Sequence, residues 1–445
     1  MLLTEKEAKQ ITEKFLSFVK ADDAIVNISS SETSHVRFAE NNFLTSGKRE
    51  ARGASVTLWI DGRRGSSSTN DFDETSLKTA VEQAEQIARL SPVDREYVPT
   101  LGPQTYKPTD GYVEATANIS PAARAKTIGG ILDEAEKQKI IAAGFHQSQA
   151  SASASATKNG NFYFHRSTIV GLSVTGRTQD GTSSGYFARS HFDVNKLDAS
   201  RIAREAIRKT LEGRNARTLD PGVYTVILEP QAVADILGFF TFSFDARSAE
   251  EGRSAFSASG GKTRLGEKIF DERINILSDP WHAELPASPA AQGGVPAQKI
   301  YMVRNGVLEN LIYSRFWASR KNVEPTPGPV NTIMETSGKP ANIEEMIAST
   351  KRGLLISRFW YIRSIDPRIA GLTGLTRDGV WLIEDGKIAY PVKNFRFNQS
   401  VIQMLAPGNV EMVGASERVG DVDSASLLPA LKLKAFNFTS QSEAV

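Results

Sequence analysis

The sequence predicts an α+β protein: an N-terminal α/β layer domain over residues 1–219 and a C-terminal, mostly β domain over 220–445, barrel- or sandwich-like. Three observations carry this reading. A pattern of hairpin, strand, Asp-Gly turn, polar stretch and capped helix occurs twice, near 24–90 and again near 145–212, as an internal duplication of one layer unit would produce. Asp220-Pro221-Gly222 breaks the chain, because neither Pro nor Gly sustains a helix or strand. Beyond that break, strand-like segments punctuated by Asn-Gly and Asp-Gly outnumber helical ones.

Taken in order, residues 4–20 have helical spacing, with Thr4 to Glu7 as a polar start. Residues 24–28 and 35–39 read as strands with Asn41-Asn42 as a turn, and 54–60 as a strand ending at Asp61-Gly62. After a polar stretch over 66–73, Leu77, Ala80, Val81, Ala84, Ile87 and Ala88 share one helical face behind a cap at Asp73 or Asp71. Residues 91–119 are a Pro- and Gly-rich connector. Ser120-Pro121 opens a helix expected to run to Ala143 and stop at Gly144. The second unit then begins: a small-residue strand over 145–156, a turn at Asn159-Gly160, strands at 162–165 and 171–175, and Asp180-Gly181. A helix over 199–212 follows, between Asp198 and Gly213. In the C-terminal half, a strand over 223–228 leads into a helical segment over 231–244. Strands follow at 268–277, in hairpins at 299–313 and 380–393, and at 394–398, with one helix near 343–350 and an apolar stretch over 353–361.

Composition narrows the function classes. Hydrophobic residues make up 40% of the 445, enough for more than one core. The 53 Lys and Arg almost balance 51 Asp and Glu, so charge does not point to nucleic acid or an anionic membrane. With no cysteine, disulfides, thiolate nucleophiles and Cys-ligated metals are excluded, as fits a reducing compartment. The first 20 residues mix charged and apolar types, unlike a secretory signal, and no run approaches the ~20 apolar residues that cross a bilayer.

Local motifs for chemistry are weak. The five histidines are His35, His146, His165, His191 and His282. No two are close enough in sequence for one helix to present both to a metal. Ser259-Gly260-Gly261-Lys262-Thr263 imitates the end of a phosphate-binding loop, but Phe256 stands where its first glycine belongs. Ser17 and Lys20 have Ser-x-x-Lys spacing without its companion motifs. Residues 357–363 interleave Arg with Phe, Trp and Tyr, a composition that suits a buried or interfacial strand better than base stacking.

Three stretches, taken together, resemble the TldD/PmbA family. They are Val36-Arg37-Phe38-Ala39-Glu40-Asn41-Asn42, Asn305-Gly306-Val307-Leu308-Glu309-Asn310, and Trp381-Leu382-Ile383-Glu384-Asp385-Gly386-Lys387-Ile388 with residues 391–398 directly after. In order and spacing they cover almost the whole chain. The resemblance implies a peptidase built from two kinds of subunit. One, TldD, carries His-Glu-x-x-x-His on the helix after the first strand of the C-terminal domain. There two imidazoles hold zinc, the Glu is general base, and a later cysteine completes the site. Here the resemblance puts Leu237, Gly238 and Phe242 at the three motif positions, and no histidine lies between His191 and His282.

On this resemblance the chain is of the TldE/PmbA type. It is expected to have no catalytic residue and no metal or other cofactor, with zinc in a partner subunit. It would pair with a TldD-like catalytic subunit or a second copy of itself, act on unfolded peptides in the cytoplasm, and engage neither nucleic acid nor membrane. Two alternatives stand beside this. One is an active metallopeptidase with a relocated site drawn from His282, His191 and carboxylates such as Asp279, Asp245 or Glu250. The other is a regulatory protein of DNA gyrase, after the family's older description as a gyrase modulator.

Overall fold

The computed structural model describes residues 2–422 and 425–442. One six-stranded antiparallel sheet is drawn entirely from residues before 192: β1 (Asp23–Ala39), β2 (Asn42–Ile60), β3 (Arg63–Thr69), β4 (Ile140–Thr157), β5 (Phe162–Thr178) and β6 (Ser184–His191), in the order β3-β2-β1-β4-β5-β6. The helices are α1 (Glu5–Ser17), α2 (Glu74–Leu90), the single turn α3 (Glu114–Ala117), α4 (Pro121–Lys137) and α5 (Ala199–Glu212). Alternate residues of β1 face inward: Ala24, Val26 and Ile28 pack with α1 and α2, and Val36 and Phe38 with α4 and α5. Because these residues share one face of the strand, the helices form a single layer over one face of the sheet.

The duplication is visible in the register. Antiparallel β1 and β4 pair at the centre of the sheet, with one hairpin-strand-helix unit on either side. One displacement along the chain carries Asp23 and its partner Trp59 onto Ile141 and its partner Arg177. Each unit also brings its helix against its third strand at a glycine. A Cβ on Gly65 would stand 1.9 Å from the Ala84 carbonyl oxygen of α2, and one on Gly185 2.5 Å from that of Ala206 in α5.

Several boundaries differ from those expected. Each pair of short strands is one long strand, because the polar middle of β1 continues pairing past the helical layer. The polar stretches after Asp61-Gly62 and Asp180-Gly181 are strands β3 and β6. The fourth helix ends at Lys137, not Ala143: Lys139 takes a left-handed conformation (φ 56°) and residues 140–157 join the sheet.

The later residues form two sheets. The elements are β7 (Gly222–Leu228), α6 (Pro230–Phe240), α7 (Ala246–Glu250), β8 (Ile274–Ser278), β9 (Ile300–Arg304), β10 (Val307–Leu308), α8 (Arg315–Lys321), β11 (Ile333–Thr336), α9 (Ile343–Ala348), β12 (Arg352–Asp366), β13 (Gly371–Glu384), β14 (Lys387–Pro391), β15 (Phe395–Ser400), α10 (Val401–Met404), β16 (Val410–Val413), β17 (Glu417–Val419), β18 (Ser426–Leu428) and β19 (Leu431–Gln441). One sheet runs β10-β9-β8-β11-β18-β17 and the other β12-β7-β19-β15-β13-β14, with β16 on β19. β12 also pairs with β13, so hydrogen bonding passes round five strands and returns to β12, a barrel-like arrangement. Its interior holds Phe359, Phe397 and Phe436, with the Phe359 and Phe436 rings stacked 5.4 Å apart. The Asn305-Gly306 and Asp385-Gly386 turns are tight because both residues of each adopt positive φ.

Candidate functional site

Strand β7 delivers the chain to Glu229, which sits at the N-cap of α6 with Pro230 as the first helical residue. Pro is suited there because its missing N–H would have had no helical partner. The Glu229 carboxylate does not cap its own helix. It takes a close ion pair from Lys209 of α5 and a hydrogen bond from the Ser357 hydroxyl (3.2 Å), while Lys209 Nζ also donates to Ser357 Oγ (2.5 Å). The start of α6 is thereby tied both to the N-terminal helical layer and to β12.

Along α6 the burial follows a helical stripe: Ala232, Val233, Ile236, Leu237 and Phe240 enter the core. Phe240 packs edge-on against Phe244, Phe256 and Phe270, at ring separations of 5.2, 5.9 and 6.0 Å. The helix ends at Phe240 and gives way to a 3-10 turn over Thr241–Phe244, earlier than the sequence pattern suggested. Of the three residues that the sequence resemblance sets against the family motif, Leu237 is 2% exposed and part of the core. Gly238 faces open space, and Phe242, on the 3-10 turn rather than the helix, is 79% exposed. A hydrocarbon side chain, a hydrogen atom and a phenyl ring supply no lone pair, so these three residues do not fit a zinc ion.

Asp235, on the same helix, is the polar feature that the motif comparison passes over. Its carboxylate is held between α6 and β12, accepting from the Phe359 N–H (2.8 Å) and from Gln231 Nε2 (2.9 Å). Burial lifts its pKa from 3.8 to about 6, against the opposing pull of Arg358. A carboxyl with a raised folded-state pKa contributes stability below its unfolded value and loses it as pH rises through the folded value. Asp235→Asn keeps an acceptor for the Phe359 N–H, and its amide N–H₂ can serve Gln231 Oε1, which lacks a partner. The variant should therefore gain on the parent between pH 4 and pH 6, reaching a plateau of about 2–3 kcal/mol. Denaturant unfolding of both proteins across that range checks this; a difference independent of pH would refute it.

Around Asp235 the N-terminal sheet docks onto the second half through polar contacts. Ser184 of β6 donates to Asp378 of β13 (2.7 Å), and the Arg358 guanidinium lies 4.0 Å above the Tyr186 ring. Arg189 pairs with Glu417 (2.8 Å). Arg358, in the aromatic stretch of β12, is thus committed to the interior, whereas Trp360 and Tyr361 are exposed.

The histidines do not assemble. His35 stacks on Phe145, and His165 meets Thr109. His191 pairs with the Glu284 carboxylate (3.2 Å), and His282 Nδ1 accepts the Glu284 backbone N–H. The carboxylates considered with them are engaged elsewhere. Asp279 pairs with Lys299, and Asp245 caps α7. Glu250 takes Tyr313, Trp317 and Lys321. Among the described residues no group of three or more His, Cys, Asp or Glu is placed to hold a metal ion, and no helix is long and apolar enough to cross a membrane.

Comparison with known proteins matches three family models in chain order. They are PmbA/TldA metallopeptidase domain 1 at residues 24–88, the central domain at 117–214 and the C-terminal domain at 221–440. A metalloprotease of Methanothermobacter thermautotrophicus is 25% identical over 291 residues, spanning 61% of this chain and 61% of its own length. Metalloprotease PmbA of Escherichia coli O157:H7 is 22% identical over 419 residues, 85% of this chain and 84% of that one. Among solved structures, TldE from Thermococcus kodakarensis shares the fold with a TM-score of 0.84 at 19% identity, covering 97% of this chain and 99% of that one. A protein from Thermotoga maritima, named as a candidate modulator of a DNA gyrase, does so with a TM-score of 0.84 at 16% identity, covering 97% and 100%. With all three of its domain models matched in sequence along the polypeptide, the chain belongs to the PmbA/TldD metallopeptidase family.

Proposed function

We propose that this chain is the non-catalytic subunit of a TldD/TldE-type metalloprotease of the cytoplasm, shaping the chamber in which unfolded peptides are cut and binding them there. The observation that supports this reading most is the state of α6. The residues set against the motif are Leu237 and Gly238 of that helix and Phe242 of the 3-10 turn after it, with Leu237 in the hydrophobic core, where family catalysis calls for two imidazoles and a carboxylate. Phe239 and Phe242, and Trp360 and Tyr361 of β12, are exposed, and aromatic side chains of this kind are enriched at protein interfaces. The scattered engagement of His191, His282, Asp279, Asp245 and Glu250 gives no support to a relocated metal centre.

Co-expression with a catalytic sister chain tests the proposal. Purified alone, this protein should carry less than stoichiometric zinc by elemental analysis and leave unfolded peptides intact. In complex it should accompany a chelator-sensitive peptidase. One tightly held zinc ion in the lone chain, together with chelator-sensitive cleavage, would overturn the reading.

A further inference from the structure

A cavity of about 730 Å³ lies under the start of α4, lined by β1, β2, the residues around α3 and Ser148 of β4. At its base is Arg124, which is 6% exposed. Its Nη2 donates to Ser148 Oγ (2.9 Å), its Nε has no partner, and among the described residues no carboxylate pairs with it. Neighbouring His146 is kept neutral, its pKa depressed to about 4 by burial first and by the Arg124 charge second. At the rim Lys48 bridges two carboxylates, Glu32 (2.9 Å) and Glu50 (2.8 Å). The cavity therefore presents one uncompensated, partly desolvated guanidinium, beside the N-terminus of a 17-residue helix. Both features favour an anion. Its walls set apolar Val36, Phe43, Leu44 and Ile119 among polar Ser34, Thr45, Ser46 and Asn118.

The rim is an open strand edge. From Asn42 to Gly53, β2 pairs with β1 alone, since β3 joins it at Ala54, and every residue from 42 to 50 is exposed. Such an edge offers main-chain donors and acceptors to an extended peptide without demanding a sequence.

We infer that this cavity binds the C-terminal end of an extended peptide, Arg124 holding the terminal carboxylate, the apolar part of the wall at Val36, Phe43, Leu44 and Ile119 meeting the last side chain, and the edge of β2 pairing with the residues before it. The inference rests on the proposed function in taking a peptide as ligand, but it needs neither zinc nor a partner subunit. Binding to the full-length chain can therefore fail while reconstituted peptidase activity stands, and the reverse.

The test is calorimetry with a short peptide of apolar residues, made with a free C-terminus and as its amide. The free acid should bind, and the amide about tenfold or more weaker, the loss expected when a charge-assisted contact is removed. Arg124→Gln should weaken the free acid by a similar factor. Leu44→Asp, on an exposed rim position, should do so without changing the melting temperature, which guards against a misfolded Arg124 variant. Equal affinity for acid and amide, insensitivity to both substitutions, or no binding of either peptide at millimolar concentration would overturn the inference. So would a simple apolar carboxylic acid that binds as tightly as the peptide, since the strand edge would then contribute nothing.

Discussion

Leu237→His should destabilise the protein by about 3–5 kcal/mol and should not recruit zinc. The side chain lies in the core with Ile236, Val233 and Phe240 of its own helix. Truncating or replacing a buried Leu forfeits its burial and leaves a cavity, worth about 2–5 kcal/mol. An imidazole in that position adds the cost of a polar group without a hydrogen-bond partner. The other two motif positions behave oppositely. A Cβ on Gly238 meets nothing within 4 Å, so Gly238→Glu should be neutral or gain up to about 1 kcal/mol from improved helix propensity. Phe242→His exchanges one exposed ring for another. Chemical denaturation of the three single variants checks the contrast. A Leu237→His protein as stable as its parent would mean that residue 237 faces a cavity able to accept a ligand, and the case for a metal-free α6 would lose its structural footing.

This contrast also shows what the primary structure reveals unaided. Helices α2 and α5 were legible because each is bracketed by chemistry: an Asp whose carboxylate accepts a first-turn N–H, at Asp73 and Asp198, with Gly213 closing α5. The Asp61-Gly62, Asn305-Gly306 and Asp385-Gly386 turns were legible because few other residues tolerate two successive positive φ values. Strands β3 and β6 were not. In β3 the packing surface is Gly65 pressed against the α2 backbone, and in β6 Gly185 against α5 with Phe187 beside it, so the regular hydrophobic alternation that marks a half-buried strand is missing, and residues 66–73 read as a polar stretch. The end of α4 was misjudged because Ile140 to Ala143 suits a helix locally. Pairing with β5 decides its conformation, and that is a tertiary fact. The step from strand β7 into helix α6 could be read from sequence. The polar contacts around that helix could not, because Lys209, Glu229, Ser357 and Asp378 come from four separate segments, and a lone Lys or Glu reads as surface.

Those contacts carry the second large effect. Lys209→Met should cost about 3–5 kcal/mol, although Met fills much of the same volume. The Lys209 and Glu229 side chains are 3% and 11% exposed. Removing one member strands a carboxylate in the interior with Ser357 as its remaining hydrogen-bond donor, and a buried charge without its counter-ion is far more costly than the pair is favourable. The same reasoning fixes the sign of the double variant. Lys209→Met with Glu229→Gln removes both charges, so it should be more stable than Lys209→Met alone, giving a coupling energy of about 1–3 kcal/mol in the thermodynamic cycle. Because Glu229 stands at the first turn of α6, the single variant should also loosen that helix, seen as faster amide exchange over residues 231–240 than over α2. If the two substitutions instead add independently, the ion pair does not anchor α6. The helix would then be positioned by its phenylalanine contacts alone, and Lys209 would matter only to the packing of α5.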